Sequence, residues 1–175
     1  IAIIHPTAAF ETKQWAVENF ARVTEELRNR GLAPVIVVAD HEQKIAQMLS
    51  EKSPARCLAL ADLSLPEVTA LAARARLFVG NDSGPMHIAA ALGRPIVAVW
   101  GSSEASVWHP WSEAPWRIVR LERTHAGKAV DAGVSPGSDI KLISTDAVIS
   151  AVNEVLELAL DGNHNTDDHS GTRKA

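Results

Sequence analysis

The fold of this chain is decided by residues 77–101, which have the sequence Leu77-Phe-Val-Gly-Asn-Asp-Ser-Gly-Pro-Met-His-Ile-Ala-Ala-Ala-Leu-Gly-Arg-Pro-Ile-Val-Ala-Val-Trp-Gly101. Two apolar runs, Leu77 to Val79 and Ile96 to Val99, predict buried strands of a parallel sheet. Between them, Gly80 to Gly84 predicts a polar turn and Pro85 to Leu92 a short helix. A strand followed by a helix and a second strand is the repeating unit of an α/β fold.

The turn Asn81-Asp82-Ser83-Gly84 places small polar side chains and free backbone N–H groups at the start of that helix. A helix N-terminus carries about half a positive charge and unpaired donors, which favour a phosphate group. Open α/β sheets bind their ligands at the carboxyl ends of strands, where this turn lies. An ordinary helix N-cap is the alternative, because Asp and Ser are common capping residues. Gly84, which removes a Cβ at the helix start, and His87, one turn later, favour a ligand site.

The composition indicates one ordinary globular domain. The chain has 175 residues, of which 46% are hydrophobic and 22% charged, and its net charge of -4 gives no attraction to nucleic acid or anionic lipid. A single cysteine excludes a disulfide framework within the chain. No apolar run approaches the roughly 20 residues of a membrane span, and no signal peptide is visible. These features predict a cytoplasmic protein.

Strand-like and helix-like segments alternate along the chain, which predicts a Rossmann-like parallel sheet with helices on both faces. Further strands are predicted at residues 1–4, 34–39, 56–60 and 116–121, and further helices at 15–30, 42–49, 64–75 and 145–160. Ser64 and Glu67 have the spacing of a capping box, and Thr145 is the expected N-cap of the last helix. We expect an aromatic-rich loop at 102–115, irregular chain at 124–137, one domain over 1–160 and a disordered tail over 161–175.

Two charged residues follow other predicted strands and lie at the same edge of the sheet as Asp82. Lys13, in the long loop after the first strand, could neutralise a diphosphate, and Thr7 could donate its hydroxyl to the same phosphate. Glu42, after the second strand, could accept a ribose hydroxyl. The alternatives are a solvated lysine and a carboxylate that merely stabilises the first turn of a helix. Neither a Gly-x-Gly-x-x-Gly nor a Walker loop is present, no histidine pair has metal-ligand spacing, and Ser83 is not in a Gly-x-Ser-x-Gly elbow.

Several of these motifs together resemble one known family. They are His5-Pro-Thr-Ala with Lys13-Gln-Trp15, Leu63-Ser-Leu65, Asn81-Asp-Ser-Gly-Pro-Met-His-Ile-Ala-Ala-Ala-Leu-Gly-Arg-Pro95 and Val99-Trp-Gly101. In this combination residues 1–160 resemble the C-terminal half of the lipopolysaccharide heptosyltransferases, the ADP-heptose-using members of glycosyltransferase family 9. The resemblance implies a GT-B enzyme, in which two Rossmann-like domains face each other across a cleft.

The resemblance also implies a role for each matching residue. Asp82, Ser83 and Gly84 would hold the diphosphate and the adjoining sugar, while Lys13, as the catalytic residue, would neutralise the departing ADP with help from Thr7. Glu42 would contact the ribose, Leu63 the adenine through its backbone, and His87 would lie beside the donor. The implied reaction is an inverting transfer to the lipopolysaccharide core that needs neither metal nor cofactor, at the inner face of the bacterial inner membrane, with peripheral membrane contact by the full-length protein.

Two departures from the family pattern bear on these expectations. Thr7 stands where many members have glycine, so the backbone approach to the ligand differs there. The N-terminal acceptor domain, which supplies the catalytic base in the family, is expected to be absent from this chain, which starts at Ile1 inside a strand-like segment. We therefore expect the chain to bind a nucleotide sugar but to have little transferase activity alone.

Three other functions remain open from the sequence. A GT-B enzyme that uses a UDP-sugar would share the fold, and a UDP-N-acetylglucosamine 2-epimerase would also share the Asp-Ser-Gly turn. The epimerases are expected to carry further acidic residues soon after that turn, where Pro85 to Ile88 supplies none. A non-enzymatic nucleotide-binding module is the third alternative.

Overall fold

A computed structural model describes residues 1–54, 57–121 and 138–164 of the chain, and its centre is a six-stranded parallel sheet. The strands are β1 (Ala2–His5), β2 (Pro34–Val37), β3 (Leu58–Leu60), β4 (Leu77–Asn81), β5 (Ile96–Val99) and β6 (Trp116–Val119). The helices are α1 (Val17–Asn29), α2 (Gln43–Lys52), α3 (Leu65–Ala73), α4 (Gly84–Ala91), α5 (Ala105–Trp108) and α6 (Thr145–His164). The predicted α/β architecture is confirmed.

The four central strands, β2, β1, β4 and β5, are buried on both faces of the sheet, since successive side chains of each strand point to opposite sides, whereas the edge strands β3 and β6 are partly exposed. In β1, Ala2 and Ile4 belong to an apolar core that includes residues of α1, α2 and α6, and Ile3 belongs to a second core with residues of α3 and α4. The continuous Val and Ile runs of the sequence follow from this two-sided burial. Trp15 and Trp100, each 2% exposed, are the largest buried side chains, one in each core.

The strand order is β3-β2-β1-β4-β5-β6, so the direction in which strands are added reverses between β1 and β4. His5, the last residue of β1, is in register with Gly80 near the end of β4. In doubly wound folds the loops that leave such a point diverge to opposite faces and form a crevice that binds the ligand. The segments that carry Lys13 and Asp82 flank this crevice.

Of the two predicted helix starts, the structure confirms one and moves the other by one residue. The capping box of Ser64 and Glu67 is confirmed, with Glu67 accepting from both the backbone N–H and the hydroxyl of Ser64. Thr145 is not the N-cap of α6, because the Ser144 hydroxyl accepts from the Ala147 N–H and the Ser144 carbonyl accepts from the Val148 N–H. The Thr145 hydroxyl instead bonds Asn19 of α1.

Two predicted irregular segments contain helix. Residues 105–108 of the predicted aromatic loop form the short helix α5, whose first turn is capped by the Glu104 carboxylate through the Ser106 N–H. Helix α6 continues to His164, so the first four residues of the predicted tail are helical. The predicted irregular chain at 124–137 and the rest of the tail lie outside the described residues.

Candidate functional site

A cleft of about 490 Å³ opens at the carboxyl ends of the central strands. Segments that follow β1, β2, β3 and β4 line it, together with Trp108 of α5. Every residue singled out from the sequence is among them: Thr7, Lys13, Glu42, Leu63, Asp82, Ser83, Gly84 and His87. The structure therefore brings all eight predicted site residues together, although their roles toward a ligand stay predictions.

Asn81 connects the two segments that flank the crevice. Its side chain is completely buried, its amide Nδ2 donates to the Pro6 carbonyl at 2.8 Å, and its Oδ1 accepts from the Trp15 N–H at 3.1 Å. One amide at the end of β4 thus bonds both sides of the loop that carries Lys13. The sequence indicated only a polar turn residue here, and no local pattern assigns it this structural role.

Asp82 is the electrostatic centre of the cleft. Its carboxylate side chain is only 5% exposed, and the Lys13 ammonium donates to its Oδ2 at 2.8 Å. The Ser103 hydroxyl donates to the same oxygen, and the His87 Nε2 lies 3.8 Å from Oδ1. Charge-assisted hydrogen bonds of this kind are the stronger ones, so the pair fixes the Lys13 ammonium at the mouth of the crevice.

The N-terminus of α4 presents unused donors beside this pair. The buried Ser83 Oγ has no hydrogen-bond partner, and Ser83 does not cap the helix through its side chain. Within the described part of the chain, no acceptor bonds the Gly84 or Met86 N–H. An unpaired buried polar atom costs about 1–3 kcal/mol, and a ligand that accepted from the Ser83 hydroxyl would recover that cost. Neither Asp82 nor Ser83 caps α4 through its side chain, so the alternative of an ordinary N-cap is wrong.

Two glycines of the cleft region differ in what surrounds them. A Cβ built on Gly101 would lie 2.3 Å from the Thr12 carbonyl oxygen and 3.1 Å from the Lys13 Cα, so a side chain there would displace the segment that carries Lys13. A Cβ on Gly84 would meet no protein atom within 4 Å. The protein itself thus needs glycine at position 101, whereas at position 84 it leaves open space at the helix start.

A second polar network lies at the other end of the cleft. The Thr7 hydroxyl donates to Glu42 Oε2 at 2.8 Å, and the Ala39 N–H donates to the same oxygen at 3.0 Å. The buried His5 lies beneath, with Nδ1 2.7 Å from the Val37 carbonyl oxygen and Nε2 3.3 Å from the Thr7 hydroxyl. Burial lowers the pKa of His5, which its contacts with Val37 and Glu42 only partly offset. Glu42 and Thr7 are therefore linked, an arrangement that the sequence did not predict.

Trp108 is the main lining residue that the sequence interpretation missed. It is 55% exposed, and its ring lies edge-on to the His87 ring at 6.3 Å between centroids. The Trp-rich segment was visible in the sequence, but its placement beside His87 depends on the short helix α5. Leu65 and Val68 of α3 add apolar surface on the opposite side, near Leu63.

The described residues contain neither a group of metal ligands nor a helix that could span a membrane. In the ranges 1–54, 57–121 and 138–164, no three His, Cys, Asp or Glu side chains are grouped so that they could hold a metal ion. Over the same ranges, every helix is too short or too polar to cross a membrane.

Comparison with known proteins gives a consistent result. The model of glycosyltransferase family 9 (heptosyltransferase) matches residues 1–132. Lipopolysaccharide heptosyltransferase 2 of Escherichia coli K12 is 32% identical over 158 residues, which cover 86% of this chain and 45% of that protein. The solved E. coli ADP-heptose lps heptosyltransferase II superposes with a TM-score of 0.73 at 27% identity, over 89% of this chain and 46% of the other. The solved family 9 glycosyltransferase of Veillonella parvula superposes with a TM-score of 0.75 at 26% identity, over 90% of this chain and 46% of the other. The chain spans less than half the length of these relatives. With the family model matching well over half of its residues, the chain belongs to glycosyltransferase family 9, the heptosyltransferases.

Proposed function

We propose that this chain is the donor-binding half of a heptosyltransferase and that its cleft binds ADP-heptose. One observation carries the proposal: the free donors at the N-terminus of α4, including the buried Ser83 hydroxyl, lie in one cleft with the Lys13–Asp82 pair. The likeness to an enzyme named for ADP-heptose supports the choice of nucleotide and sugar.

The chemistry of the donors divides the cleft into two ends. Backbone N–H groups and the Lys13 ammonium carry only donors, and the Ser83 hydroxyl can donate as well as accept, so all three suit phosphate oxygens. The Asp82 carboxylate only accepts, so it suits sugar hydroxyls and the orientation of Lys13 rather than the phosphates themselves. At the opposite end, Glu42 accepts a hydrogen bond from a ribose hydroxyl, and the adenine of the nucleotide lies against the apolar side chains near Leu63.

In the proposed reaction an acceptor hydroxyl of the lipopolysaccharide core gives its proton to the catalytic base of the N-terminal acceptor domain and attacks the anomeric carbon. The bond to the diphosphate breaks, and ADP leaves with the electron pair. Negative charge grows on the diphosphate as the bond lengthens. Donors fixed in advance, such as the α4 N-terminus and Lys13, then bind the transition state more strongly than the ground state. We place this reaction at the inner face of the bacterial inner membrane, where the acceptor lipid would be reached by peripheral contact of the whole protein.

Calorimetric titration tests the donor site directly. We expect ADP and ADP-heptose to bind more tightly than UDP or UDP-glucose, and Lys13→Ala to weaken ADP binding at least tenfold, as the loss of a hydrogen bond to a charged group of about 1.5–3 kcal/mol implies. Lys52→Ala is the matched control, because Lys52 pairs with Glu18 and does not line the cleft. Tighter binding of UDP would indicate another GT-B enzyme, and a folded chain that binds none of the four would contradict a donor site.

A further inference from the structure

We propose that Thr7 is a positioning residue that orients the Glu42 carboxylate toward a ribose hydroxyl and thereby makes the cleft selective for ribonucleotides. This inference rests on the proposed nucleotide-binding function and deepens it. It departs from the role suggested by the sequence, in which Thr7 donates to the diphosphate. The departure is carried by the direction of one hydrogen bond.

The Thr7 hydroxyl has a single proton, and the geometry assigns that proton to Glu42. The contact with Glu42 Oε2 is 2.8 Å, within the usual range, and the acceptor is a carboxylate. The contact with His5 Nε2 is longer, at 3.3 Å. The Val37 carbonyl can only accept, so His5 donates from Nδ1 and its Nε2 is the second possible acceptor of the Thr7 proton. The shorter contact and the charge of the carboxylate assign that proton to Glu42.

The two oxygens of the Glu42 carboxylate are in different situations. Oε2 receives two donors, the Thr7 hydroxyl and the Ala39 N–H. Oε1 has only the exposed His41 ring, 4.0 Å away, among the residues described. Because both donors hold the same oxygen, the carboxylate cannot rotate freely, and Oε1 remains as a fixed acceptor on a side chain that lines the cleft.

Burial makes this arrangement specific to a hydroxyl at position 7. Thr7 is 1% exposed and the Glu42 side chain 17%, so water cannot easily replace a lost donor. A carboxylate that is fixed before the ligand arrives loses less conformational entropy on binding, which improves affinity for the group it contacts. The contribution of the Thr7 hydroxyl to nucleotide affinity should therefore depend on whether the ligand offers a ribose hydroxyl. A merely structural role for Thr7 would change the affinity for all nucleotides equally.

The test compares ADP with 2′-deoxy-ADP and 3′-deoxy-ADP by calorimetry on three forms of the 175-residue chain. Wild type should prefer ADP over at least one deoxy analogue by about tenfold, the value of one charged hydrogen bond. Thr7→Val, which keeps the shape but lacks the hydroxyl, should reduce that preference to about threefold or less, with little change for the deoxy analogue. Thr7→Ser, which restores the hydroxyl, should recover most of the preference.

The outcomes separate the two proposals. A wild-type chain that is folded but binds no ADP would overturn the nucleotide-binding function and this inference with it. A full ribose preference retained in Thr7→Val would overturn the role of Thr7 alone. If Thr7→Val does not fold, Glu42→Gln tests the other partner: the inference predicts that the preference shrinks in this variant, and an unchanged preference contradicts it.

Discussion

The ion pair between Lys13 and Asp82 should stabilise the free protein as well as any bound ligand. The Asp82 side chain is 5% exposed. In Lys13→Met this carboxylate loses its ammonium partner and keeps the Ser103 hydroxyl as its close donor. Breaking a fully buried pair costs about 3–5 kcal/mol. Lys13 itself is 24% exposed, and Ser103 still satisfies one oxygen, so we expect a smaller loss in the free energy of unfolding, about 2 kcal/mol.

A double-mutant cycle in urea isolates the pair. Lys13→Met, Asp82→Asn and the double variant should give a coupling energy of about 1–2 kcal/mol, because the double variant leaves no uncompensated charge. The same cycle on Arg22 and Asp146, whose side chains are 61% and 85% exposed, should show no measurable coupling. A coupling below about 0.5 kcal/mol for Lys13 and Asp82 would refute the reasoning, since it would mean that the pair is solvated like a surface contact.

Three further predictions follow from individual residues. Gly84→Ala should leave the stability to urea unchanged or raised by up to about 1 kcal/mol, because its Cβ meets no protein atom, and should still weaken ADP binding in calorimetry. Gly101→Ala should lower both stability and ADP affinity, because its Cβ would collide with the Thr12 carbonyl; unchanged values would contradict the close approach. The pKa of His5 is lowered in the folded chain, so near pH 6.5 the unfolded chain binds a proton that the folded chain does not bind. The free energy of unfolding should therefore fall as the pH drops below 6.5, with a slope of up to about 1.4 kcal/mol per pH unit. Urea unfolding at several pH values should show a smaller slope in His5→Asn than in the wild type.

The strands and their burial were predictable because they depend on short-range patterns. The Val and Ile runs of β2 and β5 carry the signature of two-sided burial within four residues. The capping box at Ser64 is equally local. The N-cap of α6 was not predictable, because Ser144 and Thr145 are both good capping residues. A tertiary contact decides between them: Thr145 bonds Asn19, which lies 126 residues away in the chain.

The site was predictable as a location and less so as a set of contacts. Polar residues after β1, β2 and β4 had to meet at one edge of the sheet, which is why Lys13 and Asp82 were expected together. The hydrogen bonds of Asn81 and Thr7 depend on how loops from different strands pack, which no spacing in the sequence encodes. Trp108 was missed for the same reason, since its position beside His87 is set by the fold of a segment that the sequence indicated only as a loop.

The charges of the cleft explain why its donors must be fixed rather than merely numerous. Among the charged Lys, Asp and Glu side chains that line it, one lysine faces two carboxylates, so net side-chain charge does not attract a diphosphate. For the proposed diphosphate ligand, attraction has to come from short-range, oriented groups: the α4 N-terminus, the Ser83 hydroxyl and an ammonium held in place by Asp82. Asp82 weakens the long-range field but removes the freedom of Lys13. Within a short distance of the donors, orientation outweighs the lost charge, because a fixed dipole needs no reorganisation when negative charge develops.

The same reasoning applies to Glu42, one oxygen of which is held by the Thr7 hydroxyl and the Ala39 N–H. Each end of the cleft therefore uses one group to immobilise another, and the rigid sheet edge joined by Asn81 supplies the common frame.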